Sequence, residues 1–296
     1  MTLDQLRIFV AVAEREHVTR AAEALNLTQS AVSSAVTTLE ARHGVALFDR
    51  VGRSIVLNAA GQVFLIEARA VLARAAAAQE ALNDLGDLKR GRLSIQASQT
   101  IAGWWLPSRL AAFHACHAGI QIDVTIGNTR DVARAVIEGE AEVGLVEGEL
   151  DEPVLSRTVL DHDELVLVVA AGHPQAQDGA ARPDLKAMTW VLREPGSGTR
   201  SAFEAALAAH SLSVNDLDVA MSLPGNEAVA GAVKAGAGAA VVSRNVVAAR
   251  LKAGILTTLP FDLPARPFWL LRHKQRYRSK AGDAFVSLLA SRSPMA

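Results

Sequence analysis

Ala21-Ala22-Glu23-Ala24-Leu25-Asn26-Leu27-Thr28-Gln29-Ser30-Ala31-Val32-Ser33 decides how the chain is read. Its first residues close a short helix, Asn26-Leu27 makes a tight turn, and Thr28 is placed to cap a third helix running to about Arg42. Upstream, Leu6, Phe9, Val10 and Ala13 recur at helical spacing and define helix one. The second helix is expected over Thr19–Leu25, with Thr19 as its N-cap. On the third, Val32, Val36 and Leu39 share one side. Gln29, Ser33 and Thr37 share another, with Ser30 and Ser34 beside them. Gly44 suits the helix end. Leu47 to Leu57 then alternates around Gly52 as a two-stranded wing would.

A helix, a tight turn and a second helix with a polar outer face form a helix-turn-helix signature. Gln29 and Ser30, in the first turn, can reach base edges, and a Gln can bond adenine with both ends of its amide. Thr28, Ser33, Ser34 and Thr37 are placed for phosphate oxygens. Arg50 and Arg53 of the hairpin can enter a minor groove or grip the backbone. Charge sets a limit. Acids and bases cancel over residues 1–58, and the excess is confined to Arg42, Arg50 and Arg53 against Asp49. One copy should therefore bind DNA weakly, and two or more copies per site are expected.

From Ala59 the pattern changes. Phe64, Ala68, Val71, Ala75, Ala78, Leu82 and Leu85 alternate spacings of four and three, a heptad seam for a long pairing helix. After Lys89-Arg90-Gly91, strands alternate with helices. Strand candidates are Leu93–Ala97, Ile120–Ile126, Glu142–Val146, Leu165–Ala170, Thr189–Leu192, Asp218–Ser222, Ala239–Val242 and Phe268–Leu271. That is an open, largely parallel α/β pattern, long enough for two small lobes with a cleft between them.

The composition excludes several classes. Half of the 296 residues are hydrophobic, so the chain is not disordered. A single cysteine, Cys116, rules out an intrachain disulfide and a cysteine-based zinc site, and it is expected to be a small buried hydrophobe. His114 and His117 form a surface pair, and no metal or cofactor is assigned. No apolar run is long enough for a membrane span, and the N-terminus lacks the pattern of a secretory leader. A cytoplasmic protein with no membrane partner is expected.

In an open α/β lobe, ligands sit at strand ends beside helix N-termini. Ser98-Gln99-Thr100, Gly127-Asn128-Thr129 and Glu147-Gly148 each follow a strand. So does Arg193-Glu194-Pro195-Gly196-Ser197-Gly198-Thr199-Arg200, whose glycines let amides approach a ligand while Ser197, Thr199 and Arg200 add donors. Arg200 can equally pair with a nearby acid. Trp104 and Trp105 are adjacent, so one belongs in a core and the other faces the cleft or a neighbouring lobe. An enzyme holding phosphate on the Gly-Ser-Gly-Thr loop lacks a P-loop lysine, paired carboxylates or a Ser-His-Asp string. A solute-binding transport protein would not need the N-terminal helices.

The N-terminal region resembles the winged helix-turn-helix of LysR-type transcriptional regulators. The matching residues are Leu6-Arg7-Ile8-Phe9, the Ala21–Ser33 run, Leu39-Glu40, Leu47-Phe48-Asp49-Arg50 and Asn58-Ala59-Ala60-Gly61, and the similarity continues through the whole chain. Ser30 stands where many members have Pro, and Asn58 where many have Thr. The resemblance implies an α/β fold with an N-terminal all-α winged helix-turn-helix (1–58), a linker and dimerisation helix (59–90), and a two-lobed effector domain of periplasmic-binding-protein type (91–296). Lobe I would take about 91–160 and 266–296, and lobe II about 161–265. It also implies double-stranded DNA as partner, dimers or tetramers, and DNA bending.

The Arg193–Arg200 string, with Ser98-Gln99-Thr100, Gly127-Asn128-Thr129, Asp163-Glu164-Leu165 and Gly225-Asn226-Glu227-Ala228-Val229, is similar to the subgroup regulating sulfur assimilation, sulfite response or carbon dioxide fixation. That similarity implies a small anionic metabolite between the lobes. Its contacts would be Ser98, Thr100, Asn128, Ser197, Thr199 and Arg200, with Glu147 and Asn226 at the rim. An effector without charge is the other reading.

Overall fold

The computed structural model describes residues 1–52, 54–83, 91–148, 150–177 and 182–291. It contains two compact units. The N-terminal unit holds α1 (Leu3–Arg15), α2 (Val18–Leu25), α3 (Gln29–His43), β1 (Phe48–Val51), β2 (Ser54–Leu57) and α4 (Ala59–Asn83). Thr2 and Gln5 make a capping box for α1. The cap of α2 corrects the expectation of Thr19. His17 Nδ1 accepts from the Arg20 amide, so the helix already begins at Val18. Asn26 ends α2 at φ 54°, Thr28 caps α3 through the Ala31 amide, and Gly44 ends α3 at φ 64°.

The wing is held by acids. Glu40 Oε1 accepts from the amides of Leu47 (2.7 Å) and Phe48 (3.3 Å), and Glu16 Oε1 accepts from Leu57 (2.9 Å). β1 pairs antiparallel with β2, with Gly52 at φ 63° in the turn. Asn58 caps α4 by accepting from the Gly61 amide and ties it to the wing base by donating to Ala46 O. The heptad seam is divided. Phe64 and Ala68 pack on Leu6, Phe9, Leu39 and Leu47 of the unit's own core. Val71 and Leu82 are exposed, and Leu85 lies outside the described residues.

The second unit contains two mixed sheets. The first orders β4 (Ile120–Gly127), β3 (Gly91–Ser98), β5 (Val143–Glu147), β12 (Arg266–His273) and β6 (Leu155–Asp163). It carries α5 (Leu106–Cys116), α6 (Thr129–Glu138) and α11 (Lys280–Ser291). The second orders β10 (Ala240–Ser243), β7 (Leu165–Ala170) and β11 (Leu256–Leu259). A bridge between Trp190 and Ala239 links it to the parallel pair β8 (Thr189–Arg193) and β9 (Asp218–Leu223). Its helices are α7 (Pro174–Gln177), α8 (Gly198–Ala209), α9 (Asn226–Lys234) and α10 (Arg244–Lys252).

The sheets are less parallel than the sequence suggested, because the chain crosses between lobes twice. β6 leads into β7 and β11 returns to β12, and β7 and β12 run antiparallel to their neighbours. β6 remains in the first sheet through Asp163, past the expected lobe edge. Phe113, Phe285 and Phe268 fill the first core, and Trp190 stacks on Phe203 in the second. Cys116 is exposed, which corrects its expected burial. It ends α5, where the helix face turns outward. Among the described residues, no helix is long and apolar enough to cross a membrane, and no His, Cys, Asp or Glu group is arranged to hold a metal.

A Cβ on Gly61 would collide with the Leu47 carbonyl oxygen. Gly61→Ala should therefore destabilise the N-terminal unit by about 1–3 kcal/mol through overpacking. The check is the urea midpoint of that unit, which should fall with little change in slope.

Candidate functional site

Two sets of residues stand out, one in each unit. On α3, Val32 and Leu39 are buried, while Thr28, Gln29, Ser30, Ser33, Ser34 and Thr37 are all exposed. The polar face is therefore free to meet another molecule, and its first turn presents the Gln29 amide and Ser30 hydroxyl together. Thr28 already spends its hydroxyl oxygen on the α3 cap, 3.2 Å from the Ala31 amide. Arg50 is exposed on β1, and Arg53 lies outside the described residues.

In the second unit, the ends of β3, β5 and β8 meet the first turns of α6, α8 and α9. Glycine allows the close approach. A Cβ on Gly198 would overlap the Glu147 carbonyl oxygen, and Gly148, at φ 95°, lies against Gly198. Ser98, Thr100, Glu147, Ser197, Thr199 and Asn226 are all buried around this junction. Ser98 Oγ donates to Glu147 Oε2, and Asn226 Nδ2 donates to Thr100 Oγ1 at 3.1 Å. Gln99 spans the lobes with both ends of its amide, donating to Pro224 O (2.7 Å) and accepting from the Asn226 amide (3.0 Å).

The cation at the centre is Arg266, only 4% exposed. Its Nε and Nη2 reach Asp163 Oδ2 at 2.9 and 2.7 Å, and its Nη1 reaches Thr199 Oγ1 at 3.1 Å. Nη2 stands 3.5 Å from Thr100 Oγ1 and 3.6 Å from Glu147 Oε1. Asp163 also accepts from Ser243 Oγ at 2.6 Å. A second buried cation, Arg193, pairs with Glu194 at 2.7 Å and donates to Asn226 Oδ1. The N-cap of α8, Ser197, makes no side-chain cap, so the amides of that first turn are not satisfied by it.

Arg200 is placed elsewhere. It bonds Glu204 (2.8 Å) and the Arg193 carbonyl (3.1 Å) along the side of α8. Asn128 is occupied by α6, exchanging bonds with Asp131 across the first turn, and its amide lies against Gly196. Trp105 is buried, donates to Asp161 at 2.7 Å and lies under Arg109, whereas Trp104 is 49% exposed. Both sit in a π-helical turn, Ile101–Trp105, that sequence spacing does not reveal. Arg266, Arg193 and Gln99 were not picked out as site residues. Gln99 lay inside a quoted motif, and Arg193 opened one. Arg266 follows Pro264-Ala265 with no local pattern, and only its pairing with Asp163 across two strands reveals it.

Both units are similar to known proteins. Residues 3–62 match the family model "Bacterial regulatory helix-turn-helix protein, lysR family", and residues 86–294 match "LysR substrate binding domain". The chain belongs to the LysR family. It is 34% identical over 288 residues to the "Uncharacterized HTH-type transcriptional regulator YeiE" of Escherichia coli K12, covering 97% of this chain and 96% of that one. It is 33% identical over 290 residues to a "Probable RuBisCO transcriptional regulator" of Trichormus variabilis, covering 96% and 86%. Its fold resembles full-length CbnR complexed with target DNA, with TM-score 0.69, 22% identity, and 98% and 99% of the two chains covered. It also resembles the Synechocystis CcmR regulatory domain in complex with 2-PG, with TM-score 0.62, 24% identity, and 68% and 97% covered. This LysR-type protein is thus a DNA-binding transcriptional regulator with an effector-binding domain, and not an enzyme.

The two arginines should behave differently on truncation. Arg266→Ala leaves Asp163 buried without its cation and should cost about 3–5 kcal/mol. Arg200→Ala removes a half-buried pair with Glu204 and a bond to the Arg193 carbonyl and should cost less, about 1–2 kcal/mol. Thermal unfolding of the two variants side by side checks the order.

Proposed function

We propose that this regulator holds a small anionic metabolite between its two lobes and that occupancy of the cleft changes how its paired DNA-binding heads engage DNA. The observation that carries the reading is the meeting of the Arg266 guanidinium with the first turn of α8, whose N-cap residue Ser197 makes no side-chain cap. A helix N-terminus and a guanidinium together favour an anion. Ser98, Thr100, Ser197, Thr199 and Asn226 line the same junction, with Glu147 and Arg193 beside them. The CcmR regulatory domain, of similar fold, has been solved in complex with 2-PG, which supports a small ligand in such a domain.

DNA would be read by Gln29 and Ser30, with Thr28, Ser33, Ser34, Thr37, Arg50 and Arg53 on the backbone. Residues 1–58 would form the DNA-binding domain, 59–90 the linker and 91–296 the effector domain, acting in the cytoplasm. Self-association follows from the weak footprint and from two separate apolar surfaces. One is the outward side of α4, with Val63, Ile66, Val71 and Leu82 exposed. The other comprises the sheet edges β4 and β9, which present Val124, Ile126, Val219 and Met221. Two different two-fold interfaces on one chain build a tetramer, whereas one builds a dimer.

Arg53→Ala should weaken DNA binding across many sequences and lower the salt slope by about 1 in a gel-shift titration. Gln29→Ala should change the half-site preferred in binding-site selection. For the effector, thermal shift against sulfite, sulfate, thiosulfate, O-acetylserine, phosphate and sugar phosphates is the direct test. A ligand at ~100 times its Kd adds about 2.7 kcal/mol. The rise should vanish in Thr199→Val. If no anion stabilises a protein that still binds DNA, the effector is not an anion.

A further inference from the structure

We propose that Glu147 makes the cleft selective for oxyanions that bring a hydrogen-bond donor of their own, such as hydrogen phosphate, a hydroxy acid or an amino acid, over oxyanions that carry none. This rests on the anion reading of the same cleft and narrows it.

The charges at the junction fall into pairs with one left over. Arg266 is matched by Asp163, which is completed by Ser243. Arg193 is matched by Glu194. Glu147 is the third carboxylate, with its side chain 3% exposed. It receives one side-chain hydrogen bond, from Ser98 to Oε2. Oε1 faces Arg266 Nη2 at 3.6 Å, an ion pair longer than a hydrogen bond, while that nitrogen's 2.7 Å bond goes to Asp163. Oε1 is thus an acceptor that a ligand's own donor can meet, at the place where the ligand is expected.

The hydroxyls around it divide into two kinds. Ser98 spends its proton on Glu147. Thr199 Oγ1 accepts from Arg266, and Thr100 Oγ1 accepts from Asn226, so each keeps its proton to give away. The junction therefore offers donors on the side of Thr100, Thr199 and the α8 first turn, and an acceptor on the side of Glu147. A ligand with both an anionic oxygen and an O–H or N–H satisfies both sides. A fully ionised oxyanion turns lone pairs and like charge toward Glu147, which opposes binding by repulsion and gives that acceptor no donor. A site built around a ligand donor can reject an isostere lacking it by large factors.

Hydrogen phosphate and sulfate isolate the effect. At mildly alkaline pH both are tetrahedral dianions of similar size, and they differ by one proton. With the full-length protein in calorimetric titration, hydrogen phosphate should bind on the order of a hundredfold tighter than sulfate. Glycolate should likewise exceed acetate. In Glu147→Gln, whose amide can donate, the phosphate preference should collapse and sulfate should gain affinity. Equal affinities for phosphate and sulfate in the wild type overturn the proposal and leave the anion reading intact. So does undiminished preference in Glu147→Gln. Should that variant fail to fold, the two wild-type ratios decide alone. Binding of none of the four anions by the wild type removes the anion reading, and this proposal with it.

Discussion

The buried pair between Arg266 and Asp163 is the constraint on which the effector unit depends. Asp163 is the last residue of β6 and Arg266 the first of β12, and they face each other in register. Both lie where the chain passes between lobes, so the pair pins the two crossings together. From that position Arg266 also reaches Thr199 at the start of α8 in one lobe and approaches Thr100 beyond β3 in the other. A desolvated ion pair contributes little net stability by itself. Its value here is geometric, because it fixes a guanidinium between two helix starts that side-chain packing alone would not align.

The N-terminal unit solves a related problem with acids. A wing of four-residue strands is too short to hold its own orientation. Glu40, from α3, and Glu16, from the end of α1, each take wing amides, and Asn58 joins the wing to α4. Those carboxylates also explain why the unit carries no net positive charge. Acids needed to build the wing offset the arginines that would grip DNA. Several heads on one site would make up the affinity, which would tie DNA binding to assembly.

The helical head was legible because its signals are local. Thr28, Asn26 and Gly44 act within one turn of where they stand, and burial of Val32 and Leu39 follows from spacing. His17 escaped notice because histidine is an uncommon cap. Eight strands were legible from β-branched runs, but β6 and β11 were not. β6 reads Leu-Ser-Arg-Thr-Val-Leu-Asp-His-Asp, with polar residues on both faces, and β11 is four residues long. In the cleft, Ser98, Thr100, Glu147, Ser197, Thr199 and Asn226 do converge, since each sits at a strand end or helix start. Arg200 does not, because an acid one turn away at Glu204 holds it on its own helix. Arg266 was hidden because its partners lie about 70 to 170 residues away in sequence, and nothing short-range marks such a pairing.

The same geometry bears on how a ligand would act at a distance. Gln99 of one lobe bonds the Pro224 carbonyl and the first amide of α9 in the other, and Asn226 bonds Thr100 back across the gap. These contacts join the lobes through the protein's own side chains. A ligand shifts the lobes only to the extent that it binds one arrangement more tightly than another. Glu147 and the start of α8 are in backbone contact through Gly198, where any side chain would force them apart. A ligand that donates to Glu147 and accepts from Thr199 therefore pulls on two elements of opposite lobes whose separation glycine has set. Differential binding would arise because both bonds can be made well at only one separation, and an effector needs such an energetic lever to bias one arrangement of the lobes.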